Sequence, residues 1–459
     1  MEPLGGLFKS YDIRGIVGEQ IYPEICYQIG KAFASLMAEE DGSLEKILIG
    51  HDMRPSADAL VPAFIEGVTS RGIDVAQLGL CSTDMLYFAS GFHNCPGAIF
   101  TASHNPSQYN GIKLCRAGAG PIGAESGLVD IQEKAMSEDS GPALSKGNVH
   151  SLEILDDFVN HVLGFVDVKS LQPLNVVVDT ANGMGGLVVP AVFDKLPFRL
   201  DLMFGELDGT FPNHPADPLN SENLVDLQRK VLSSNADIGL AFDGDADRVF
   251  LVDEMGQSLS GSDTTALVAK SILDREPGST IIHNLICSRA VPETIKRYGG
   301  QALRSRVGHS YIKQLMAETD AAFAGEHSGH YYFRDNYRAD SGLIAALLVM
   351  QEISDKGISL SSLRKDFGSY SSTGEINFRV DNPTDVIERI SDTFSDHEHD
   401  YLDGLTVNGD KWWFNLRPSN TEPLLRLNLE ADNGITMERE FMKVRACLEQ
   451  FVESEGKVD

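Results

Sequence analysis

The chain has 459 residues, which at about 150 residues per domain predicts roughly three domains, with four allowed, and argues against a single small binding module. Its 38 Lys and Arg stand against 67 Asp and Glu, a net charge of −29. That balance argues against nucleic acid or an anionic membrane surface as a partner, because both are bound by neutralising phosphates.

The first third alternates short β-like runs with helical stretches, the signature of βαβ units on a largely parallel sheet. Residues 46–52 (KILIGHD), 73–80 (IDVAQLGL) and 97–103 (GAIFTAS) read as strands, and 22–39 and 56–70 carry apolar residues at helical spacing. The pattern restarts at 174–186 (LNVVVDTANGMGG), a buried strand running into a Gly-rich turn, and continues through 236–254 (ADIGLAFDGDADRVFLVDE). It restarts again with 279–284 (STIIHN) and 320–329 (DAAFAGEHSG). After about residue 370 come alternating INFRV (376–380), a helical stretch near 384–394, the acidic run 395–400, strand-like 411–418 and 424–430, and a final helix from Thr436. This last part predicts an α+β unit whose antiparallel sheet has one solvated face. The expected organisation is three related α/β domains with mixed sheets flanked by helices (1–150, 151–255 and 256–370) and a smaller C-terminal α+β domain (371–459). No apolar run approaches the ~18 residues of a membrane span, and residues 1–15 lack a leader pattern. The expected location is cytoplasmic. Six cysteines without a CxxC pair predict reduced thiols, not a zinc site or a disulfide framework.

Four segments carry chemistry. Phe100-Thr-Ala-Ser-His-Asn-Pro106 puts a turn at the carboxyl end of a strand, where α/β folds place ligands. It is either an ordinary Asn-Pro turn or one that exposes the Ser103 hydroxyl beside His104. The GxSxG elbow of esterases is missing, which leaves open a serine that carries a phosphoryl group. Phe242-Asp-Gly-Asp-Ala-Asp-Arg248 sets Asp243, Asp245 and Asp247 at alternate positions, a hard oxygen site suited to Mg²⁺. An EF-hand is excluded because the sixth position is Arg248, not Gly. An acidic turn satisfied by its own amides is the alternative, but three mutually repelling carboxylates favour a cation, and Arg248 can pair with an anionic ligand of that cation. Gly325-Glu-His-Ser-Gly-His330 alternates Glu326 and Ser328, two hydrogen-bonding groups for vicinal sugar hydroxyls, or is simply a polar turn; the HExxH spacing of a zinc site is absent. Asn415-Leu-Arg-Pro-Ser-Asn-Thr421 combines Arg417 with the short donors Ser419, Asn420 and Thr421, which makes a phosphate cradle or a hairpin turn.

Together and in this order, the segments resemble the α-D-phosphohexomutase family, most closely its phosphomannomutase/phosphoglucomutase branch, from Tyr11-Asp-Ile-Arg-Gly15 to Arg417-Pro-Ser-Asn-Thr-Glu-Pro423. The resemblance implies four domains around a central cleft. It implies a phosphoserine at Ser103, and Mg²⁺ held by Asp243, Asp245, Asp247 and a phosphoserine oxygen. Glu326 and Ser328 are expected to read the sugar hydroxyls, while Arg417, Ser419, Asn420 and Thr421 grip the phosphate that is not transferred. Arg14, His104, Lys113, Arg248 and His330 fall on catalytic positions, and Tyr11, Asn110, Arg289 and His309 are assigned to substrate binding. His104, Lys113 and His330 are the candidates for moving the hydroxyl proton.

The implied activity interconverts mannose 1-phosphate and 6-phosphate, with the glucose phosphates as second substrates. Hexose 1,6-bisphosphate is intermediate and activator, and the enzyme acts on small-molecule sugar phosphates as a monomer or homodimer. Phosphoglucosamine mutase, a non-catalytic sugar-phosphate binder and a phosphatase are the alternatives; an intact Ser103 and Asp triad argue against the pure binder. Two positions depart from the family pattern. Ile286 stands where members often have a lysine near the substrate, leaving Arg304, Arg306 or Arg338 to compensate. Ala339-Asp-Ser-Gly342 replaces a pair of acids before glycine, with its effect expected on helix capping. A hinge before residue 370 is expected to let the last domain close on the phosphate. The acidity of the chain also divides unevenly: segments 101–118, 304–338 and 411–426 carry +2, +1 and +2, and 241–248 carries −2, so the remaining chain holds −32. The expected picture is a locally cationic site inside an acidic shell, with salt screening charges beyond about 8 Å.

Overall fold

The computed structural model describes residues 6–137, 145–367, 370–380, 382–419 and 424–450. Its first sheet runs Ile13–Ile16, Tyr109–Arg116, Gly97–Phe100, Lys46–His51, Asp74–Leu80 and Val149–Ser151 in spatial order, with Gly120–Pro121 added beside Tyr109–Arg116. Gly97–Phe100, Lys46–His51 and Asp74–Leu80 are parallel neighbours, while Tyr109–Arg116 returns antiparallel to Gly97–Phe100. The second sheet orders Val249–Asp253, Ile238–Phe242, Asn175–Asp179 and Arg199–Met203, and the third Tyr331–Phe333, Phe323–Gly325, Thr280–Asn284 and Gln301–Ser305. All three share one plan, in which an antiparallel hairpin leads into parallel strands. The repeated restarts in the sequence therefore correspond to a repeated architecture.

This plan places the chemistry. The turn of the hairpin is residues 101–108 in the first unit, 243–248 in the second and 326–330 in the third, the same place each time. The strands feeding these turns are apolar on both faces, as parallel strands covered by helices must be; Gly97–Phe100 and Ile238–Phe242 are buried throughout. One continuous core joins the units, with Leu86 and Phe88 of the first, Val188 and Phe242 of the second, and Leu267 and Phe323 of the third in contact through it. Helix Gly342–Lys356 is apolar nearly all round because that core surrounds it. Its N-cap is Ser341, whose hydroxyl accepts from the Ile344 N–H at 3.3 Å, the capping effect expected of the Ala339-Asp-Ser-Gly342 departure.

The C-terminal unit is a fully antiparallel sheet ordered Ser371–Arg379, Leu424–Ala431, Trp412–Pro418, Leu405–Asn408 and Glu398–Asp400. Helices Pro383–Thr393 and Gly434–Leu448 pack their apolar stripes on one face. The expectation of a solvated second face is corrected here. Trp413, Asn415, Arg417, Asn428 and Glu430 alternate onto that face, and every one of them is buried. Their polarity follows from mutual pairing, with Trp413 Nε1 donating to Glu430 and Arg417 to Asn428, and from the third unit lying against them. Among the described residues, no helix is long and apolar enough to cross a membrane. All six cysteines are free.

Candidate active site

The three hairpin turns converge. On the first, Ser103 takes a left-handed φ of +50°, and its N–H donates to Thr101 Oγ1 at 3.0 Å. This is why the expected strand 97–103 stops at Phe100. The bend aims the buried Ser103 hydroxyl at the second turn, where it donates to Asp243 Oδ2 at 2.8 Å and meets Arg248 Nη2 at 2.5 Å. His104 Nδ1 lies 3.4 Å from the same hydroxyl and accepts from Arg248 Nη2 at 2.5 Å. Glycine permits the approach of the two turns, since a Cβ on Gly244 would sit 2.4 Å from the Ser103 carbonyl oxygen. The Gly-rich turn of the second unit backs this loop, with the Met184 N–H donating to the Gly244 carbonyl at 2.9 Å.

Asp243, Asp245 and Asp247 are all buried, with carboxylate oxygens within 4.8 Å of one another. Asp243 braces Arg248 through its N–H at 3.2 Å and Nε at 2.9 Å. Asp245 Oδ2 accepts from Thr83 Oγ1 and Lys113 Nζ, each at 2.6 Å, and Lys113 Nζ also reaches Asp247 Oδ2 at 2.6 Å. The remaining oxygens, Asp245 Oδ1 and Asp247 Oδ1, are buried and accept no hydrogen bond. Unpaired buried carboxylate oxygens are costly, and hard donors in this cluster suit a small divalent cation, so the triad is an acidic metal-binding site.

Burial pushes Asp247 well above the usual carboxylate range and Asp243 up to about 6. At Asp245 burial is outweighed by the Lys113 ammonium and the Thr83 hydroxyl, which hold the carboxyl well below that range. Burial opposes the charge of Lys113 too, but Asp245 and Asp247 raise it well above the ordinary lysine value, so it stays an ammonium. Burial, reinforced by the Arg248 guanidinium, keeps His104 and His330 neutral.

The third turn joins the second through a backbone bridge between Arg248 and His330. Ser328 Oγ lies 2.9 Å from His330 Nδ1, and His330 Nε2 lies 3.7 Å from Asp247 Oδ1. Glu326 is buried and accepts from the Tyr332 hydroxyl at 2.7 Å, Asn284 Nδ2 at 3.3 Å and the Gly308 N–H at 3.4 Å. Arg14 donates to Asn105 Oδ1 at 2.5 Å and pairs with Asp12, which fixes it to the serine turn. Tyr11 crosses from the first unit to the third, donating to the Val307 carbonyl at 2.9 Å with its ring 5.3 Å from that of His309. His309 Nδ1 is buried and has no hydrogen-bond partner.

Two residues expected at the substrate make hydrogen bonds within the scaffold. Asn110 is wholly buried; its Nδ2 donates to Ser56 Oγ at 2.7 Å and its Oδ1 accepts from the Gly111 N–H at 2.7 Å, which uses its amide within the first unit. Arg289 Nη2 donates to the Trp412 carbonyl at 3.2 Å, with Asn408 Oδ1 at 3.4 Å and the Gly409 carbonyl at 3.5 Å, so it stitches the third unit to the fourth. Arg417 donates to Asn428 Oδ1 at 2.8 Å and Glu375 Oε2 at 2.5 Å, and Ser419 Oγ accepts from Arg426 Nη2 at 3.3 Å. Asn420 and Thr421 lie outside the described residues. Ile286 is buried against Leu285 and Trp413, an apolar joint where a lysine was expected. Of the arginines named as compensation, Arg304 pairs with Asp400, Arg306 lies 4.4 Å over the Tyr311 ring, and Arg338 has a buried Nε without a hydrogen-bond partner.

Sequence reasoning passed over Thr83, Glu375 and the pair Asp52 and Arg54. The last pair carried a usable signal, because His51-Asp-Met-Arg54 follows the strand Lys46–His51 at its carboxyl end, as the serine turn follows its own strand.

Models of the family described as phosphoglucomutase/phosphomannomutase match the chain four times in succession: alpha/beta/alpha domain I over 5–140, domain II over 156–256, domain III over 260–370 and the C-terminal domain over 375–446. The chain is 38% identical to a phosphomannomutase of Salmonella montevideo over 441 residues, which cover 94% of this chain and 96% of that one. It is also 38% identical to a phosphomannomutase of Methanocaldococcus jannaschii over 442 residues, 96% of each. Its fold superposes with a TM-score of 0.89 on a phosphoglucomutase/phosphomannomutase family protein from Burkholderia thailandensis, at 29% identity and covering 99% of both chains. Four consecutive domains and full-length relatives at this identity agree with the repeated hairpin plan, and the chain belongs to the phosphoglucomutase/phosphomannomutase family.

Proposed function

We propose that this protein is a phosphohexomutase that interconverts mannose 1-phosphate and mannose 6-phosphate, and likewise the glucose phosphates, through a phosphoserine at Ser103 and a hexose 1,6-bisphosphate. One observation carries the reading: a buried serine hydroxyl held between Asp243 at 2.8 Å and Arg248 at 2.5 Å, at the edge of the acidic triad. Relatives named phosphomannomutase support the substrate class.

Phosphoryl transfer spreads charge over the equatorial oxygens of the moving group, so catalysis is mainly positioning and electrostatic stabilisation. Asp243, Asp245 and Asp247 would hold Mg²⁺, which when bound neutralises charge on the phosphoryl group; Asp245 Oδ1 and Asp247 Oδ1, which accept no hydrogen bond, fit that role. Arg248 contacts the Ser103 oxygen directly, Arg14 adds positive charge at Asn105 of the serine turn, and Lys113 adds it at Asp245 and Asp247. In the forward half-reaction the Oγ–P bond of phosphoserine breaks as a sugar hydroxyl oxygen bonds to phosphorus. The hydroxyl proton passes to a neutral imidazole. His330 suits that step, because Ser328 orients its Nδ1, whereas His104 Nδ1 is occupied by Arg248 and Lys113 stays charged. In the return half-reaction the other phosphate of the bisphosphate bonds to Ser103 Oγ, and the proton is delivered to the sugar oxygen released. Arg417 and Ser419 grip the phosphate that stays on the sugar.

The test is an assay with Mg²⁺ and a trace of glucose 1,6-bisphosphate. Mannose 1-phosphate and glucose 1-phosphate are both expected to convert to their 6-phosphates, and conversion of neither would overturn the proposal. A higher kcat/KM on glucosamine phosphate would reassign the substrate, and inorganic phosphate released faster than isomerisation would make the protein a phosphatase.

A further inference from the structure

Arg54 is the largest wholly buried side chain in the molecule, among the described residues, and it lies outside the set of residues just given chemical roles. A guanidinium has five N–H donors, and here each has an acceptor. Nε donates to Asp52 Oδ2 at 3.2 Å; Nη1 donates to the carbonyls of Pro106 at 2.9 Å and Tyr109 at 3.0 Å; Nη2 donates to the carbonyls of Ser103 at 2.9 Å and Asn105 at 2.7 Å. The four carbonyls run from Ser103 in the serine turn to Tyr109 at the start of the following strand. Their dipoles converge on one point in a buried place, an arrangement that needs a cation at its centre. Lysine cannot substitute, since an ammonium has three donors on a point charge and no planar fork.

The second unit closes over this group. The Phe211 ring lies 5.1 Å from the Arg54 guanidinium carbon, and a Cβ on Gly209 would sit 2.6 Å from Arg54 Cα. The carbonyl that Arg54 holds on Ser103 is also the one that Gly244 of the acidic turn approaches most closely. Arg54 therefore fixes the backbone atom at which the serine turn and the acidic turn meet. A non-glycine residue at φ +50° is in a strained conformation that persists only where its surroundings hold it.

We propose that Arg54, with Asp52 as its counter-charge, is a positioning residue for phosphoryl transfer: it holds Ser103 in the left-handed conformation that aims Oγ between Asp243 and Arg248. The proposal rests on Ser103 as the phosphoryl carrier. It touches neither substrate nor reacting atoms, so its effect falls on the rate of transfer and not on sugar binding.

The experiment follows single-turnover phosphorylation of Ser103 by glucose 1,6-bisphosphate with Mg²⁺, in wild type and Arg54→Lys, by intact mass. In that step the bond between phosphorus and the sugar oxygen breaks, the bond from Oγ to phosphorus forms, and the hydroxyl proton goes to the released sugar oxygen. Arg54→Lys is expected to slow phosphorylation and kcat together by about a hundredfold, the cost of a misplacement of about 1 Å, while KM stays within about twofold. Wild-type rate per folded molecule, or a loss of kcat no larger than the loss of folded protein by circular dichroism, would overturn the proposal. Should Arg54→Lys not fold, Asp52→Asn keeps an acceptor for Nε and removes the charge; an unchanged kcat in that variant overturns the proposal, and a fall of about tenfold at constant KM supports it. A wild-type protein that takes up no phosphoryl group at all would overturn the reading of Ser103 itself, an outcome distinct from a normal wild type beside a normal Arg54→Lys.

Discussion

At the scale of single residues, the site depends on backbone atoms as much as on side chains. Gly244 shows this most directly, because its missing side chain lets the acidic turn rest on the Ser103 carbonyl. Gly244→Ala would place a methyl group 2.4 Å from that oxygen, and backbone on both sides leaves little room to give. We expect kcat to fall at least about tenfold, with the folded state destabilised by about 1–3 kcal/mol as in other overpacked sites. Measured kcat and Tm check this, and a variant with wild-type kcat would show that the two turns need not touch. Ser103 and the three aspartates were legible in sequence because each group is local, a distinctive residue pattern closing a strand. Arg54 and Thr83 were not, since each acts on a partner that only the fold brings near: Ser103 is 49 residues from Arg54, and Asp245 is 162 from Thr83. Asn110 and Arg289, both expected at the substrate, make hydrogen bonds within the scaffold that the sequence does not reveal.

Among elements, the repeated hairpin is the unit of function, with the serine turn, the acidic turn and the Ser328 turn at equivalent places in three sheets. The strands and most helices could be read from apolar period. The burial of the polar face of the C-terminal sheet could not, because alternation reports which residues share a face and not what covers it. Between elements, helix Thr83–His93 of the first unit meets helix Gly342–Lys356 of the third through Asp84, whose Oδ2 accepts from Ser341 Oγ at 2.8 Å. Burial pushes the Asp84 carboxyl up to about 7, against about 3.9 in an unfolded chain. A folded-state pKa above the unfolded value means that the linked stability is fully present below about pH 4 and is lost as pH rises through about 7. Asp84→Asn keeps the contact with Ser341 and removes the titration. The Tm of Asp84→Asn relative to wild type is therefore expected to rise by a few degrees between pH 5 and pH 8. An equal difference at both pH values would contradict it.

Across the whole molecule, three units share one core while the fourth is attached by a polar and apolar joint: Arg289 on the edge of the C-terminal sheet, Arg304 on Asp400, and Ile286 against Trp413. The charge of −29 is compatible with a phosphate substrate, because the cations that matter are fixed inside the structure, where Lys113 and Arg248 are paired with the triad and little screened by salt. The account stands or falls on Ser103 as the phosphoryl carrier. The most direct measurement is intact mass after incubation with glucose 1,6-bisphosphate and Mg²⁺, followed by removal of the sugar. Wild type is expected to gain about 80 Da, one phosphoryl group, and Ser103→Ala to gain nothing; a wild type without added mass, or an equal gain in Ser103→Ala, would contradict the account.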